Sequence, residues 1–120
     1  MGDLTKNFSR FEFACRCGCG LDNIYMPTVE ALQKLRELIG EPTYVTCGCR
    51  CERHNKEVGG VPDSQHLLKN DCKAADISTK HYTPAELADF IEENIEEFAN
   101  GGIGRYAGFV HVDLGPKRRW

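Results

Sequence analysis

Apolar residues recur at helical spacing twice along this chain and alternate at strand spacing near its end. From Pro27, the positions Val29, Leu32, Leu35, Leu38 and Ile39 fall on one helical face, and Gly40 supplies a stop. Proline suits the first turn, where its missing N–H would be unpaired anyway. The spacing predicts a scaffold helix over residues 27–39. Thr83-Pro84-Ala85-Glu86 reads as a capping box. Behind it, Leu87, Phe90, Ile91, Ile95 and Phe98 form a second stripe, and Asn100-Gly101-Gly102 ends it, so residues 84–99 are expected to be one helix. The acidic run Glu92 to Glu97 reads as its solvated face.

Strand signals lie between and after these helices. Thr43 to Thr46 is β-branched and aromatic, Lys73 to Ser78 reads as a second strand, and Ile103 to Tyr106 with Phe109 to Leu114 reads as a hairpin turning near Ala107-Gly108. In Phe109-Val110-His111-Val112-Asp113 successive side chains alternate between faces. His111 and Asp113 therefore point one way, toward an exposed face that suits a cleft, while Val110 and Val112 point into the core. Residues 8–14 suggest a helical turn with Phe8, Phe11 and Phe13 seeking the core, 15–25 a loop, and 51–58 a short helix before Gly59-Gly60. Two amphipathic helices need one sheet face to cover. The expected class is α+β, a small, mainly antiparallel sheet packed by helices, in one domain over residues 1–120.

Charge and composition narrow the partners. A formal charge of −3 leaves no basic footprint for nucleic acid. The terminal K-R-R reads as a solvated tail. No stretch reaches the roughly 18 apolar residues of a membrane span. M-G-D-L-T-K-N-F lacks the apolar core of a secretory signal, so synthesis in the cytoplasm is expected, as is a monomer. The seven cysteines fall as Cys15-x-Cys17-x-Cys19, Cys47-x-Cys49-x-Cys51 and a separate Cys72. An odd count forbids complete internal pairing. The triplets are open to pairing across segments, to a structural zinc, or to remaining reduced; a redox or metal-storage role is a third functional reading. Cysteines two apart on a strand share a face but seldom bridge each other.

Four residues carry the candidate chemistry: His66 and Asp76 in S-Q-H-L-L-K-N-D-C-K-A-A-D, and His111 and Asp113 in F-V-H-V-D. Catalytic zinc takes three protein ligands and keeps a fourth position for water. His66, Asp76 and His111 make such a set, with Asp113 left as a proton acceptor.

The motifs around them resemble the zinc-dependent D-Ala-D-Ala carboxypeptidases and murein peptidases, the M15 peptidases, in the short subgroup found among phage endolysins and bacterial cell-wall peptidases. The pattern S-G-Y-R-C-x-x-H-N, S-x-H-x-x-G-x-A-x-D, H-V-D can be followed from Val45 to Asp113, F-x-x-x-E-F-x-C-x-C-G-C-G is matched by Phe8 to Gly20, and Arg119-Trp120 also fits. The resemblance implies a hedgehog/D-Ala-D-Ala-peptidase-like fold. It also implies a zinc metallopeptidase that hydrolyses a bond in peptidoglycan stem peptides or crosslinks, after release or as a phage product. By the same resemblance the metal ligands are His66, Asp76 and His111. Arg50 faces the substrate and steadies the oxyanion, Ser64 binds substrate, and His54-Asn55 is scaffold. His81 reads as a surface residue.

The chain departs from the pattern in three places. Cys47 and Cys49 replace the serine and tyrosine of S-G-Y-R. K-N-D-C stands for a single glycine between His66 and Asp76, and brings Asp71 as a competing carboxylate. Larger relatives carry an acid three residues before the last zinc histidine, where this chain has Gly108. Asp113 then has two open roles: general base, or orienting partner of His111. A catalytically impaired module that only binds wall peptide, or serves a phage structure, is the alternative.

Overall fold

A computed structural model describes residues 2–120. The chain forms α1 (Met26–Ile39), β1 (Thr43–Cys47), α2 (Glu52–Glu57), β2 (Ala74–Thr79), α3 (Pro84–Asn94), α4 (Glu96–Ala99), β3 (Gly102–Arg105), β4 (Val110–Asp113) and β5 (Arg118–Arg119). The architecture is α+β around one mixed sheet of order β1-β2-β4-β3-β5. The pairs β1/β2, β2/β4 and β3/β4 are antiparallel, whereas β3/β5 is parallel. Within the K-R-R run, expected as a solvated tail, Arg118 and Arg119 therefore form this edge strand. Its residues are exposed, but Trp120 N donates to Ile103 O (3.2 Å) and Arg105 N donates to Trp120 O (2.8 Å).

The helices follow their stripes, with corrections. Val29, Leu32 and Leu35 are fully buried and Gly40 closes α1 in the left-handed region (φ 74°), but Leu38 is exposed. The predicted helix 84–99 is two helices. It begins with the capping box: Thr83 Oγ1 accepts from Glu86 N (3.1 Å) and Glu86 Oε1 accepts from Thr83 N (2.9 Å). It breaks at Ile95, which is extended (φ −116°, ψ 90°). The break follows Asn94, a weak helix former, and allows Ile95 and Phe98 both to be fully buried. Near the N-terminus, Phe8 and Phe13 are core residues, but Phe11 is exposed. Among the described residues, no helix is long and apolar enough to cross a membrane.

The sheet has two characters. Ala75, Ile77, Val110, Val112 and Ile103 join the helices' Leu32, Leu35, Leu87 and Ile91 in the hydrophobic core. The alternate residues form the other face, where Asp76 pairs with His111, which pairs with Gly104, and Ala74 pairs with Asp113, which pairs with Gly102. Both glycines leave space that neighbouring side chains occupy. A Cβ at Gly102 would collide with the Asp113 carboxylate, and one at Gly104 with the Trp120 ring. A bulge between Val45 and Cys47 shifts the register of β1, so that Cys47 rather than Thr46 stands opposite Asp76. Bulges re-aim side chains in this way next to functional sites.

Candidate active site

Three sequence-predicted residues converge on this second face. Asp76 on β2 and His111 on β4 are cross-strand partners; His66 comes from the loop before β2. His66 Nε2 lies 3.2 Å and His111 Nδ1 3.1 Å from the same atom, Asp76 Oδ1, and the two rings meet edge-on at 5.0 Å. The inserted K-N-D-C does not disturb this meeting. It loops outward through a 3-10 turn and returns through Asp71 and Cys72, both at positive φ (66° and 50°). Asp71 is exposed and Cys72 is buried in the core.

The outer nitrogen of each imidazole has an acceptor that fixes its tautomer. His66 Nδ1 is 2.6 Å from Gly48 O, and His111 Nε2 is 2.7 Å from Asp113 Oδ2. A carbonyl and a carboxylate can only accept, so each of these nitrogens carries an N–H. The inner nitrogens then turn lone pairs toward Asp76 Oδ1. Three acceptors crowded this closely need a proton or a cation between them. In the protein alone a proton fills that role. Burial pulls the basicity of His66 down, but its hydrogen bonds to Asp76 and Cys47 carry the pKa up to about 10. Burial likewise opposes ionisation of Asp76, and its close contacts with His111 and His66 outweigh it, holding the carboxyl well below its usual range.

Asp113 is fully buried behind His111. Its Oδ1 accepts from Gly102 N (3.1 Å) and Gly115 N (2.9 Å), and its Oδ2 is also 3.4 Å from Arg118 Nη2. Burial raises its pKa, and the His111 contact more than reverses that, so it stays ionised. Gly108 lies in the exposed turn between β3 and β4.

Arg50 follows β1, and its guanidinium is largely buried. Nη1 donates to Asn55 Oδ1 (2.9 Å), Nη2 donates to Cys47 Sγ (3.3 Å), and Nη2 is 3.9 Å from Asp76 Oδ2. Asn55 is itself fixed by donating to Val61 O (2.9 Å), and a Cβ at Gly60 would collide with both Asn55 and Arg50. Among the described residues Arg50 Nε has no hydrogen-bond partner. Ser64 is buried and its Oγ accepts from His66 N (3.2 Å), which shapes the loop that presents His66. His81 is exposed and pairs with Glu41 (3.0 Å).

These groups open onto a cleft of about 840 Å³ whose lining includes Arg50, Ser64, His66, Asp76, His111 and Trp120. Sequence reasoning missed two contributors. Cys47 Sγ lies 3.7 Å from His66 Nδ1, close enough that Cys47, His66 and Asp76 form a potential metal-holding group. The serine-to-cysteine departure was its signal, but only the β1 bulge aims it here. Trp120 lies beside His111 with the rings tilted at 49° (5.0 Å between centroids), under the Arg118 guanidinium (4.6 Å), with Nε1 donating to Tyr106 Oη (2.6 Å).

Residues 6–113 match the family model described as Peptidase M15. The chain belongs to the M15 peptidase family. The match runs from the first turn through His66, Asp76, His111 and Asp113, so all four candidates of this M15 member lie inside it. No curated protein matches the chain. Membership makes the converging His-Asp-His group a candidate centre of a metallopeptidase, and its donor chemistry agrees. Two imidazole nitrogens and a carboxylate oxygen are a usual ligand set for catalytic zinc. Around one ion at roughly 2.0–2.2 Å such donors stand about 3.3–3.6 Å apart. His66 Nε2 and His111 Nδ1 each stand near that distance from Asp76 Oδ1, while the group whose donor atoms all lie within 4.8 Å of one another is Cys47, His66 and Asp76.

Proposed function

We propose that this M15 member is a zinc-dependent peptidase that hydrolyses a peptide bond in peptidoglycan stem peptides or crosslinks, on a D-Ala-D-Ala-peptidase-like scaffold. One observation carries the reading: both imidazoles have their outer nitrogens committed to acceptors, so both inner nitrogens face the Asp76 carboxylate. His66, Asp76 and His111 would hold the ion. A bound zinc supplies a Lewis acid for the scissile carbonyl and lowers the pKa of water toward neutrality.

The chain's own residues have distinct parts. Asp113 orients His111 and keeps its Nδ1 unprotonated, a common duty of carboxylates behind metal-bound histidines. The geometry favours this role over that of general base, because both its oxygens are occupied on the side of His111 away from Asp76. Arg50, preset by Asn55, presents a fixed guanidinium to oxyanion charge developing in the cleft. Ser64 shapes the His66 loop, and its hydroxyl proton remains available to a substrate carbonyl. The exposed Arg118 beside Trp120 suits a substrate with carboxylates, as wall peptides have.

A binding-only module is the second reading. It is favoured by the placement of Gly108 in an exposed turn and by a cleft whose lining contains, among the described residues, Asp76 as its one carboxylate. Purified peptidoglycan digested with the protein, with and without chelator, and read by mass spectrometry of the muropeptides separates the two. Zinc-dependent release of a defined fragment supports the peptidase. Wall binding without any cleavage at saturating zinc would leave only the module.

A further inference from the structure

A second cluster lies away from the cleft's His-Asp-His group. The thiols of Cys15, Cys17, Cys19 and Cys51 gather so that all four sulfurs lie within 4.8 Å of one another. Cys15 Sγ and Cys17 Sγ are 3.5 Å apart, and Cys17 Sγ and Cys51 Sγ are 3.6 Å apart. We propose that these four cysteines form a closed tetrathiolate centre for a single structural zinc ion, separate from the catalytic group and independent of it.

The geometry matches the ion. Four sulfurs at about 2.3 Å from a tetrahedral zinc are about 3.8 Å apart. A disulfide needs sulfurs about 2.05 Å apart, so the cluster is an assembly of thiols rather than of bonded pairs. The chain also turns in a way that serves the assembly. Cysteines two apart on a strand would stand in a row, but residues 15–19 are not a strand. Gly18 N donates to Cys15 O (3.2 Å) and Gly18 sits at φ 83°, so the chain curls and its three thiols face one point. Cys51 completes the set from the start of α2, and two backbone amides donate to the sulfurs: Cys51 N to Cys15 Sγ (3.5 Å) and His54 N to Cys51 Sγ (3.4 Å). Such bonds favour thiolates over thiols.

Burial does not explain the gathering. Cys49 and Cys72 are also close, but both lie in the hydrophobic core, where free thiols pack as small apolar groups. Cys15 is buried, Cys17 and Cys51 are half-buried, and Cys19 is exposed. Bringing an exposed thiol to three others removes little apolar surface from water. A shared ion supplies the missing driving force. Four thiolates on a divalent ion leave two negative charges, and the exposed Arg53, in electrostatic reach of Cys17, Cys51 and Cys19, offsets part of them. Soft thiolates in a tetrahedral array select zinc or iron over hard oxygen-seeking cations. The ion would staple loop 14–20 to the residue next to Arg50, and so brace the wall of the cleft.

The test uses the full chain, purified without chelator. Metal analysis and zinc-edge X-ray absorption are read on wild type, on His66→Ala/His111→Ala, and on Cys19→Ser, where the exposed position leaves packing untouched. The expected result is two zinc ions in wild type. One ion with an all-sulfur shell near ~2.3 Å should persist in the histidine variant, and one ion should be lost from Cys19→Ser. Because the histidine variant lacks the catalytic group, failure of the peptidase reading does not affect this outcome. In wild type, Cys15, Cys17, Cys19 and Cys51 should resist alkylation until chelator is added. A histidine variant without a sulfur shell, a disulfide recovered among these four cysteines, or alkylation unchanged by chelator would each overturn the proposal.

Discussion

At the scale of residues, the four candidate side chains behave as a relay with Asp113 at its end. Asp113→Asn tests that relay. The new amide oxygen is able to accept from Gly102 N and Gly115 N, which leaves the amide NH2 facing His111 Nε2. His111 must then accept there and carry its proton on Nδ1, the atom that faces Asp76. Zinc affinity should weaken by about 10–100-fold with a smaller change in turnover at saturating zinc. A zinc titration with a chromogenic chelator checks this, and unchanged affinity removes Asp113 from the centre.

The same residues set a pH dependence. The His66 pKa is raised from 6.5 to about 10, so its contribution to stability is complete below about pH 6.5 and is lost as pH rises toward 10. The Asp76 pKa is lowered from 3.8, so its contribution is present above that value and lost as pH falls below it. The chelated protein should therefore be most stable between roughly pH 4 and 6.5. Its melting temperature should drop on going to pH 9, which thermal scans at fixed ionic strength will show. With zinc loaded, His66 binds as neutral imidazole, and this alkaline decline should flatten.

At the scale of elements, the polar sheet face depends on small residues opposite large ones. Gly104 stands across from His111 and leaves the space that Trp120 fills. Gly104→Ala should push the indole off His111 and loosen β5 from β3. Trp120 is the sole tryptophan, so its fluorescence should shift to the red and become more quenchable by acrylamide, with wall-peptide cleavage reduced. An unchanged spectrum would show that β5 tolerates the extra methyl. The β1 bulge is a comparable device, since it alone brings Cys47 opposite Asp76. Cys47→Ser should leave zinc content unchanged if the histidines and Asp76 suffice as ligands, and metal analysis of that variant decides the point.

At the scale of the whole molecule, the two proposed metal sites would tie together segments distant in sequence: residues 15–19 to Cys51, and His66 to β2 and β4. A domain of 120 residues has a modest core, so such ties matter for stability. A ligand at 100 times its dissociation constant stabilises the folded state by about 2.7 kcal/mol. For a chain of this length that corresponds to a shift in melting temperature on the order of 10 °C. Thermal scans with zinc and with excess chelator measure it, and coincident curves would mean that no metal-dependent tie exists.

The sequence by itself determined the elements whose signals are local. Helical spacing of Val29, Leu32 and Leu35, the Thr83–Glu86 capping box and the alternation of faces through Val110–Asp113 each depend on neighbours a few residues away and are found in the structure. The face expected to be exposed is nonetheless buried at both His111 and Asp113. Ordered motifs likewise singled out His66, Asp76, His111 and Asp113, which the fold brings together, because few residue types offer such donor atoms. What only the tertiary structure decided was which distant groups meet and from which side. Leu38 and Phe11 have the right type and spacing for the core, yet nothing packs over them, and both are exposed. The break at Ile95 answers a packing demand from Phe98 that no local signal reports. The parallel edge strand β5 pairs through backbone hydrogen bonds that carry no side-chain code, so Arg118-Arg119 read as a tail. The orientation of Asp113 away from Asp76 and the curl that joins Cys15, Cys17, Cys19 and Cys51 are facts of register and turn geometry, which exist only once the chain has folded.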